Sequence, residues 1–146
     1  MRALALDVGS RTIGLAQASD AGIATSWETL RRRGQREDVP EVIRRVREAA
    51  VTDLVIGLPL ELDGREGHRV RLVRRFVEAL EAGLAEAELA GVRVHWWDER
   101  FSTAAAERTL LEADVSRAGR KAKIDAVAAQ FILQGWLDAG AGAPGA

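Results

Sequence analysis

The sequence predicts an α/β fold built on a five-stranded mixed sheet flanked by helices. Two observations support this prediction. Three short strand-like segments follow one another near the start with only tight turns between them, and two later strand-like runs each follow a helical pattern. Consecutive strands joined by short turns pair antiparallel, whereas a strand that returns through a helix lies parallel to its neighbour. The sheet should therefore contain three antiparallel strands followed by two parallel ones.

The first three strands are predicted from apolar runs that end at turn residues. Residues 3–8 are apolar except for Asp7, which is typical of a buried strand. A second strand is predicted from Ile13 to Ala18 and a third from about Ile23 to Leu30. Ser19-Asp20-Ala21-Gly22 between them has the composition of a hairpin turn.

The middle of the chain predicts alternating helices and strands. Arg31–Asp38 is polar and predicted to be a loop, and Pro40 is predicted to begin a helix that continues to about Ala50. Leu54–Leu58 is a continuous apolar run, which predicts a strand buried on both faces. Leu60–Gly67 contains two acidic residue–glycine pairs and is predicted to be a loop.

The last third is predicted to be mostly helical. A helix from His68 to about Leu89 should end near Gly91, because glycine commonly ends helices. A fifth strand is predicted at 92–97, followed by a helix that Ser102 or Thr103 caps and that runs to Leu111. A basic loop is predicted at 117–123. The final helix, at 124–137, is apolar on almost all sides, which predicts that it packs in the core.

Length and composition indicate an ordinary globular chain. The 146 residues suit one domain, predicted over residues 1–138 and followed by a flexible tail at 139–146. A net charge of −1 excludes the strongly basic field of DNA-coating proteins, and the absence of cysteine excludes thiolate zinc sites. No apolar run reaches the ~18 residues that would span a bilayer, and no leader pattern is seen. We therefore expect a cytoplasmic protein without a membrane partner.

Carboxylates at three places in the sequence predict a metal site. Asp7 lies in a buried strand, where an unpaired charge costs several kcal/mol. Glu99, with Asp98 beside it, follows the fifth strand, and Asp125 begins the final helix. Carboxyl ends of parallel strands share one edge of a sheet, so these acids should converge there and share a hard cation, Mg²⁺ or Mn²⁺.

Two of the three acidic positions also have a structural interpretation. Asp125 could interact with the dipole of a helix start, and Asp98-Glu99-Arg100 could be a surface turn with a local ion pair. Strand parity places Asp98 and Glu99 on opposite faces if the strand continues that far, so Asp98 remains an alternative ligand, although a less favoured one.

Basic residues near the predicted site indicate a polyanionic substrate. Four cations lie within seven residues immediately before Asp125: Arg117, Arg120, Lys121 and Lys123. Ser10 and Arg11 in the first turn, and Arg100, are further candidates for phosphate contact. The arginine runs at 31–36, 44–47 and 69–75 are interpreted as solvated helix faces.

Four motifs in order across about residues 3–137 resemble those of the bacterial RuvX/YqgF family. They are the stretch 7–16, Gly57-Leu58-Pro59 with Asp63-Gly64, the stretch 98–103 and the stretch 125–134. The resemblance implies an RNase H-like fold related to the RuvC resolvase. It also implies that Asp7, Glu99 and Asp125 are the catalytic acids. RNase H-like nucleases usually have a fourth acid at the end of the fourth strand, where this chain has Gly57-Leu58-Pro59.

The resemblance implies a divalent-metal-dependent nuclease that matures the 5′ end of pre-16S rRNA, with one or two ions. The alternatives are a Holliday-junction resolvase, which would require a dimer, and a non-catalytic rRNA-binding module. A sugar-kinase-like or chaperone-like ATPase is disfavoured, because those sites need two such domains around the nucleotide. We expect nucleic acid as the partner, RNA or branched DNA, and a monomer or weak homodimer.

Overall fold

The computed structural model describes residues 1–101 and 118–140, without the side chains of residues 101 and 118–125. The described strands are β1 (Ala3–Val8), β2 (Thr12–Ala18), β3 (Ala24–Arg31), β4 (Asp53–Leu58) and β5 (Arg93–Asp98). The described helices are α1 (Gln35–Glu48), α2 (His68–Glu86) and α3 (Ala118–Asp138), and one turn of 3₁₀-helix covers Glu99–Phe101.

The strands form one mixed sheet in the order β3-β2-β1-β4-β5. β1, β2 and β3 pair antiparallel, β4 lies parallel to β1, and β5 lies parallel to β4. The predicted α/β class and the mixed five-stranded sheet are therefore confirmed. β1 is the central strand, so Asp7 lies near the carboxyl end of the middle of the sheet.

Helices cover both faces of the sheet, and the alternation along each strand assigns every residue to one face. Leu4 and Leu6 of β1 pack in the core cluster that contains α1 and α2 residues. Ala3 and Ala5 instead pack with Ile132 of α3 and its neighbours. Odd-numbered residues of β1 therefore face α3, which places Asp7 on that side.

The first helix begins earlier than the sequence suggested. α1 begins at Gln35, so the prediction of a loop through Asp38 and a start at Pro40 was wrong. The Asp38 carboxylate accepts hydrogen bonds from the backbone N–H groups of Arg33 (3.0 Å) and Gly34 (3.2 Å) just before the helix. This buried acid stabilises the helix start through contacts that hydrophobic spacing does not reveal.

The second helix ends without a glycine. α2 ends at Glu86, and Glu88 has a left-handed backbone with φ 62°, so the prediction that Gly91 ends the helix was wrong. The N–H of Leu89 donates to the Leu84 carbonyl (2.7 Å) and that of Glu88 to the Ala85 carbonyl (3.2 Å). These are the two bonds of a Schellman motif, in which the left-handed position is usually glycine.

The last helix is longer than predicted. α3 begins at Ala118, so residues 118–123 are helical and the prediction of a basic loop there was wrong. Asp125 consequently lies well inside the helix, not in its first turn. The predicted helix ending at Leu111, Arg117 and residues 141–146 lie outside the described residues. The single domain over 1–138 and the flexible tail stay predictions.

A cluster of ion pairs around the buried Asp53 joins β4 to β5 at the end of the sheet opposite to Asp7. The Asp53 side chain is 1% exposed. Its carboxylate lies 2.9 Å from Arg93 Nε and 2.8 Å from His95 Nε2, and it accepts a hydrogen bond from the Thr52 hydroxyl (2.6 Å). Burial would raise the pKa of Asp53, but the hydrogen bonds from Thr52, His95 and Arg93 together hold that pKa below its ordinary value.

Replacing Asp53 by Asn should lower the free energy of unfolding at pH 7 by about 1–3 kcal/mol, because it removes the charge-assisted hydrogen bonds that a buried carboxylate accepts from Thr52, His95 and Arg93. The unfolded chain binds the Asp53 proton more tightly than the folded chain does. The stabilisation that the charged Asp53 provides is therefore present above about pH 4 and is lost as the pH falls through the lowered pKa. Urea unfolding at several pH values would measure both effects. Asp20→Asn, in the exposed β2–β3 turn, is the control, and an equal loss there would contradict the prediction.

Candidate active site

Asp7 lies near the carboxyl end of β1, between glycines on the two neighbouring strands. Asp7 is buried, with 6% of its surface exposed. It pairs with Gly14 on β2. The parallel register Leu6↔Ile56 places the next residue, Asp7, beside Gly57 on β4. Neither glycine contributes a side chain to the sheet face that carries Asp7, the face that α3 covers.

Glu99 lies directly above Gly57. It is the first residue of the 3₁₀ turn that follows β5, and it is 6% exposed. A Cβ added at Gly57 would lie 2.7 Å from Glu99 Oε1 and 2.6 Å from Ile132 Cδ1 of α3. The Glu99 carboxyl group therefore occupies the space that a side chain from the end of β4 would fill. Asp7 and Glu99 are brought to the same edge and face of the sheet, one on β1 and one over β4.

The surroundings of Glu99 disfavour its charged form. Burial raises the pKa of Glu99 above its ordinary value, the positive charge of Arg69 in the first turn of α2 opposes this rise, and the charge of Asp98 adds to it. A buried carboxyl group with a raised pKa indicates a group that a cation would stabilise in its charged form.

Asp98 is held in a different arrangement. It is the last residue of β5, where Trp96 packs on the α1–α2 side of the sheet and Trp97 on the α3 side. The alternation along the strand therefore assigns Asp98 to the α1–α2 side. Its carboxylate accepts hydrogen bonds from the Arg100 guanidinium (2.7 and 3.1 Å) and the Arg100 backbone N–H (2.9 Å). The hydrogen bond with the Arg100 side chain lowers the pKa of Asp98. The local ion pair left open by the sequence is therefore formed, and it consists of Asp98 and Arg100.

The backbone of α3 carries position 125 toward the edge that holds Asp7 and Glu99. Trp136 packs on the ring of His95 with ring centroids 4.9 Å apart, and Ile132 lies over Gly57 nearer the carboxyl ends of the strands. From Trp136 back to Ile132, α3 thus approaches the edge that holds Asp7 and Glu99. Position 125 lies about two helical turns further in the same direction, on the helix face that also includes position 129. Within the described side chains, which exclude Asp125, no group of three or more acidic or histidine residues could hold a metal ion.

The candidate phosphate contacts are spread over three segments. Ser10 and Arg11 are exposed in the turn after β1, where the Gly9 N–H donates to the Thr12 carbonyl (2.9 Å). Arg100 contacts Asp98 and, at 3.4 Å, the Leu62 carbonyl. The backbone at Arg120, Lys121 and Lys123 belongs to α3, and Arg117 lies outside the described residues.

Arg32 is a residue whose part in the site the sequence did not reveal. We interpreted its run as a solvated face, but its side chain is 14% exposed and lies 3.1 Å from Asp38 Oδ2. Its Nη1 donates to the Gly9 carbonyl (3.0 Å) and its guanidinium stacks over the Phe76 ring at 5.1 Å. Arg32 therefore fixes the turn after β1, immediately beyond Asp7. The pairing is tertiary, so no spacing in the sequence signals it.

The comparisons with known proteins identify the family. A family model described as "RuvX: Holliday junction resolvase" matches residues 1–139. The chain belongs to the RuvX family. Within the described ranges 1–101 and 118–140, this family member has no helix long and apolar enough to cross a membrane.

Relatives of this RuvX-family chain match almost end to end. A protein of Myxococcus xanthus is 50% identical over 140 residues, which cover 95% of this chain and 89% of that protein. A protein of Symbiobacterium thermophilum is 46% identical over 145 residues, covering 99% and 96%. Both carry the name "Putative pre-16S rRNA nuclease". The predicted membership of the RuvX/YqgF family is thus confirmed.

Solved structures show the fold. The RuvC protein of Thermus thermophilus in complex with a Holliday junction substrate superposes with a TM-score of 0.60 at 16% identity, over 97% of each chain. A second Thermus thermophilus RuvC structure gives a TM-score of 0.56, over 97% of this chain and 98% of that one. The RNase H-like, RuvC-related fold that the resemblance implied is confirmed.

Proposed function

We propose that this chain is a divalent-metal-dependent nuclease that hydrolyses phosphodiester bonds in structured RNA, and that it trims the 5′ end of pre-16S rRNA. The observation that carries the proposal is the pair of buried carboxyl groups, Asp7 and Glu99, gathered on one face at the carboxyl edge of the sheet. The names of the Myxococcus and Symbiobacterium relatives support pre-16S rRNA as the substrate. We further propose that the protein acts in the cytoplasm, where ribosomal precursors are processed.

The donor set fits a hard cation. Asp7, Glu99 and Asp125 offer only carboxylate oxygens, which Mg²⁺ and Mn²⁺ bind and softer metals do not prefer. The burial that raises the pKa of Glu99 is the condition under which a shared cation gains most from pairing. When bound, such an ion supplies an activated water and stabilises the leaving oxygen. Asp98, paired with Arg100, is the less favoured ligand.

The remaining residues of the site bind and orient the substrate backbone. Ser10 and Arg11 lie in the exposed turn that Arg32 fixes beside Asp7, so they can hold a phosphate next to the carboxylates. Arg117, Arg120, Lys121 and Lys123 precede Asp125 along the chain and supply the positive charge that a polyanion needs. Arg100 contributes a guanidinium whose orientation Asp98 fixes.

The test is cleavage of two substrates side by side, a pre-16S rRNA 5′ leader and a DNA four-way junction, with Mg²⁺ or Mn²⁺. We expect cleavage of the leader and loss of that cleavage in Asp7→Asn, which keeps the size of the side chain but removes its charge. Circular dichroism would verify that the variant is folded. Binding of the leader without metal-dependent cleavage would indicate a non-catalytic RNA-binding module and overturn the enzyme assignment.

Junction resolution is the second candidate. The family description names a Holliday junction resolvase, and the RuvC structure that superposes on this chain holds a junction substrate. Two symmetric nicks require two active sites, so this function requires a dimer, whereas RNA trimming works in a monomer or a weak homodimer. Preferential cutting of the four-way junction, with a dimer in solution, would favour it over RNA processing.

A further inference from the structure

Exposed arginines without partners are concentrated at the edge of the sheet that holds Asp7. Several of the described arginines form ion pairs with acids. Others are exposed and, among the described residues, have neither an ion pair nor a side-chain hydrogen bond: Arg2, Arg11, Arg31, Arg33, Arg36, Arg69, Arg71 and Arg75. All of these except Arg2 lie at the carboxyl end of β3 or on segments that follow the carboxyl ends of β1, β3 and β4.

Two arginine runs that the sequence analysis treated alike differ in the structure. In the run at 44–47 every arginine has an acceptor, either a glutamate or the Ala87 carbonyl. In the run at 31–36 only Arg32 has one, because its side chain pairs with Asp38 and bonds a backbone carbonyl. The first run therefore stabilises the fold, whereas the second leaves arginine charge available to an external anion.

The strand register places Arg31 on the sheet face that carries Asp7. Asp7 pairs with Gly14, and Gly14 pairs with Thr29 of β3. Arg31 follows Thr29 by two residues, so the alternation along the strand assigns it to the same face. β3 lies two strands from β1 and runs in the same direction, so the Cα of Arg31 is about 10 Å across the sheet from Asp7 and about 7 Å further toward the carboxyl edge.

Hydrogen bonds hold the connection that carries Arg31 and Arg33. The Arg32 N–H donates to the Arg11 carbonyl (2.8 Å), which joins this connection to the turn after β1. The Arg33 N–H donates to the Asp38 carboxylate (3.0 Å). Arg32 lies between the two exposed arginines, and its own side chain is largely buried. Arg31 and Arg33 are therefore exposed on an ordered backbone beside the turn that follows Asp7.

We propose that Arg31 and Arg33 bind phosphates of the RNA substrate beyond the one held at Asp7, so that the RNA strand crosses the carboxyl edge from β1 toward β3. This inference rests on the proposed function. Within the connection from β3 to the first turn of α1, Glu37 is the one exposed acid and Arg36 adds a further exposed cation. The exposed charge is thus positive, and the planar guanidinium group of arginine binds phosphate through two hydrogen bonds.

The experiment measures binding and cleavage of the pre-16S rRNA 5′ leader. Binding is followed by fluorescence anisotropy in Ca²⁺ over a series of salt concentrations. Arg31→Gln/Arg33→Gln should weaken binding about tenfold and lower the slope of log K against log salt by about 1.4, because each phosphate contact of a single strand contributes about 0.7. In Mn²⁺ the same variant should raise KM and leave kcat unchanged, since these contacts form before the chemical step.

A second pair of arginines provides the matched control. Arg71→Gln/Arg75→Gln removes the same charge from two exposed arginines that are four residues apart on one face of α2. Arg2→Gln makes the same substitution at the opposite end of the sheet, before β1. Both controls should bind the leader with the affinity of the wild type. Urea unfolding of each variant would verify that the fold is kept.

The outcomes separate this inference from the function on which it rests. If Arg31→Gln/Arg33→Gln binds the leader as tightly as the wild type, the phosphate contact is overturned and the nuclease proposal is untouched. An equal weakening by Arg71→Gln/Arg75→Gln would also overturn it, because the loss would then reflect net charge and not position. If the wild-type chain binds the leader without cleaving it, the nuclease proposal fails and the phosphate contact can still be supported. If the wild type does not bind the leader, both proposals fail.

Discussion

Replacing Glu99 by Gln should lower the rate of metal-dependent cleavage by about 10³-fold, equivalent to about 4 kcal/mol of transition-state stabilisation. Gln keeps the size of the side chain above Gly57 but removes the charge that the proposed cation needs. Single-turnover cleavage of the pre-16S leader in Mn²⁺, at saturating protein, would measure the chemical step separately from binding.

The neighbouring acid provides the matched control. Asp98→Asn removes the charge of a carboxylate one residue away that pairs with Arg100, while the asparagine oxygen can still accept a hydrogen bond from Arg100. We expect less than a tenfold change in cleavage. A large loss in Asp98→Asn with little loss in Glu99→Gln would exchange their roles and make Asp98 the ligand.

The stability of Glu99→Gln should not fall with its activity. Burial raises the pKa of Glu99, so its charged form destabilises the metal-free fold at neutral pH. Glu99→Gln should therefore be at least as stable as the wild type in metal-free buffer. A site that gains stability when a group needed for activity is removed is typical of functional residues. A strongly destabilised Glu99→Gln would indicate a structural role.

The sheet could be predicted because its signals are local. Turn residues after β2 predict a hairpin, and the continuous apolar run in β4 predicts a strand with both faces covered. Because the carboxyl ends of parallel strands lie at the same edge of a sheet, these elements alone predict that Asp7 and Glu99 approach each other. What the sequence left open was the face of Asp98 and Glu99, which depends on β5 ending at Asp98.

The predictions that were wrong concern contacts between residues distant in the sequence, or helix ends that lack the residues usually found there. The N-terminal part of α3 was predicted to be a loop because its charged residues and Gly119 show no apolar periodicity, although Arg, Lys and Ala favour helices. α2 ends at a left-handed Glu88, where the sequence offered Gly91. The role of Arg32 depends on Gly9, Asp38 and Phe76, which are brought together only by the fold.

Gly57 illustrates a position that the sequence could identify but not explain. Compared with the wider RNase H-like fold, it marks a missing acid at the end of β4. In the structure the Glu99 carboxyl group fills this space from β5, and Ile132 closes it from α3. The Glu99 carboxyl group and Ile132 can therefore occupy these positions only because Gly57 has no side chain.

Replacing Gly57 by Ala should therefore reduce cleavage by about 10²-fold, because a displacement of about 1 Å in a catalytic group can cost this much. The backbone at Gly57 is not left-handed, so alanine brings no backbone strain there. The added Cβ instead collides with Glu99 Oε1 and with Ile132 Cδ1, at 2.7 and 2.6 Å. Overpacking of this kind lowers the free energy of unfolding by about 1–3 kcal/mol, and urea unfolding would measure that loss.

A double variant separates the two collisions. Ile132→Val removes the Cδ1 atom at a cost of about 0.5–1.5 kcal/mol, and it leaves Glu99 intact. In Gly57→Ala/Ile132→Val the alanine has room on the α3 side but still collides with the carboxyl group. We expect the double variant to be about as stable as Ile132→Val alone while its cleavage and its Mn²⁺ affinity, measured by calorimetry, stay low. If cleavage returns together with stability, Gly57 serves only the packing of α3, and the position of Glu99 does not depend on it.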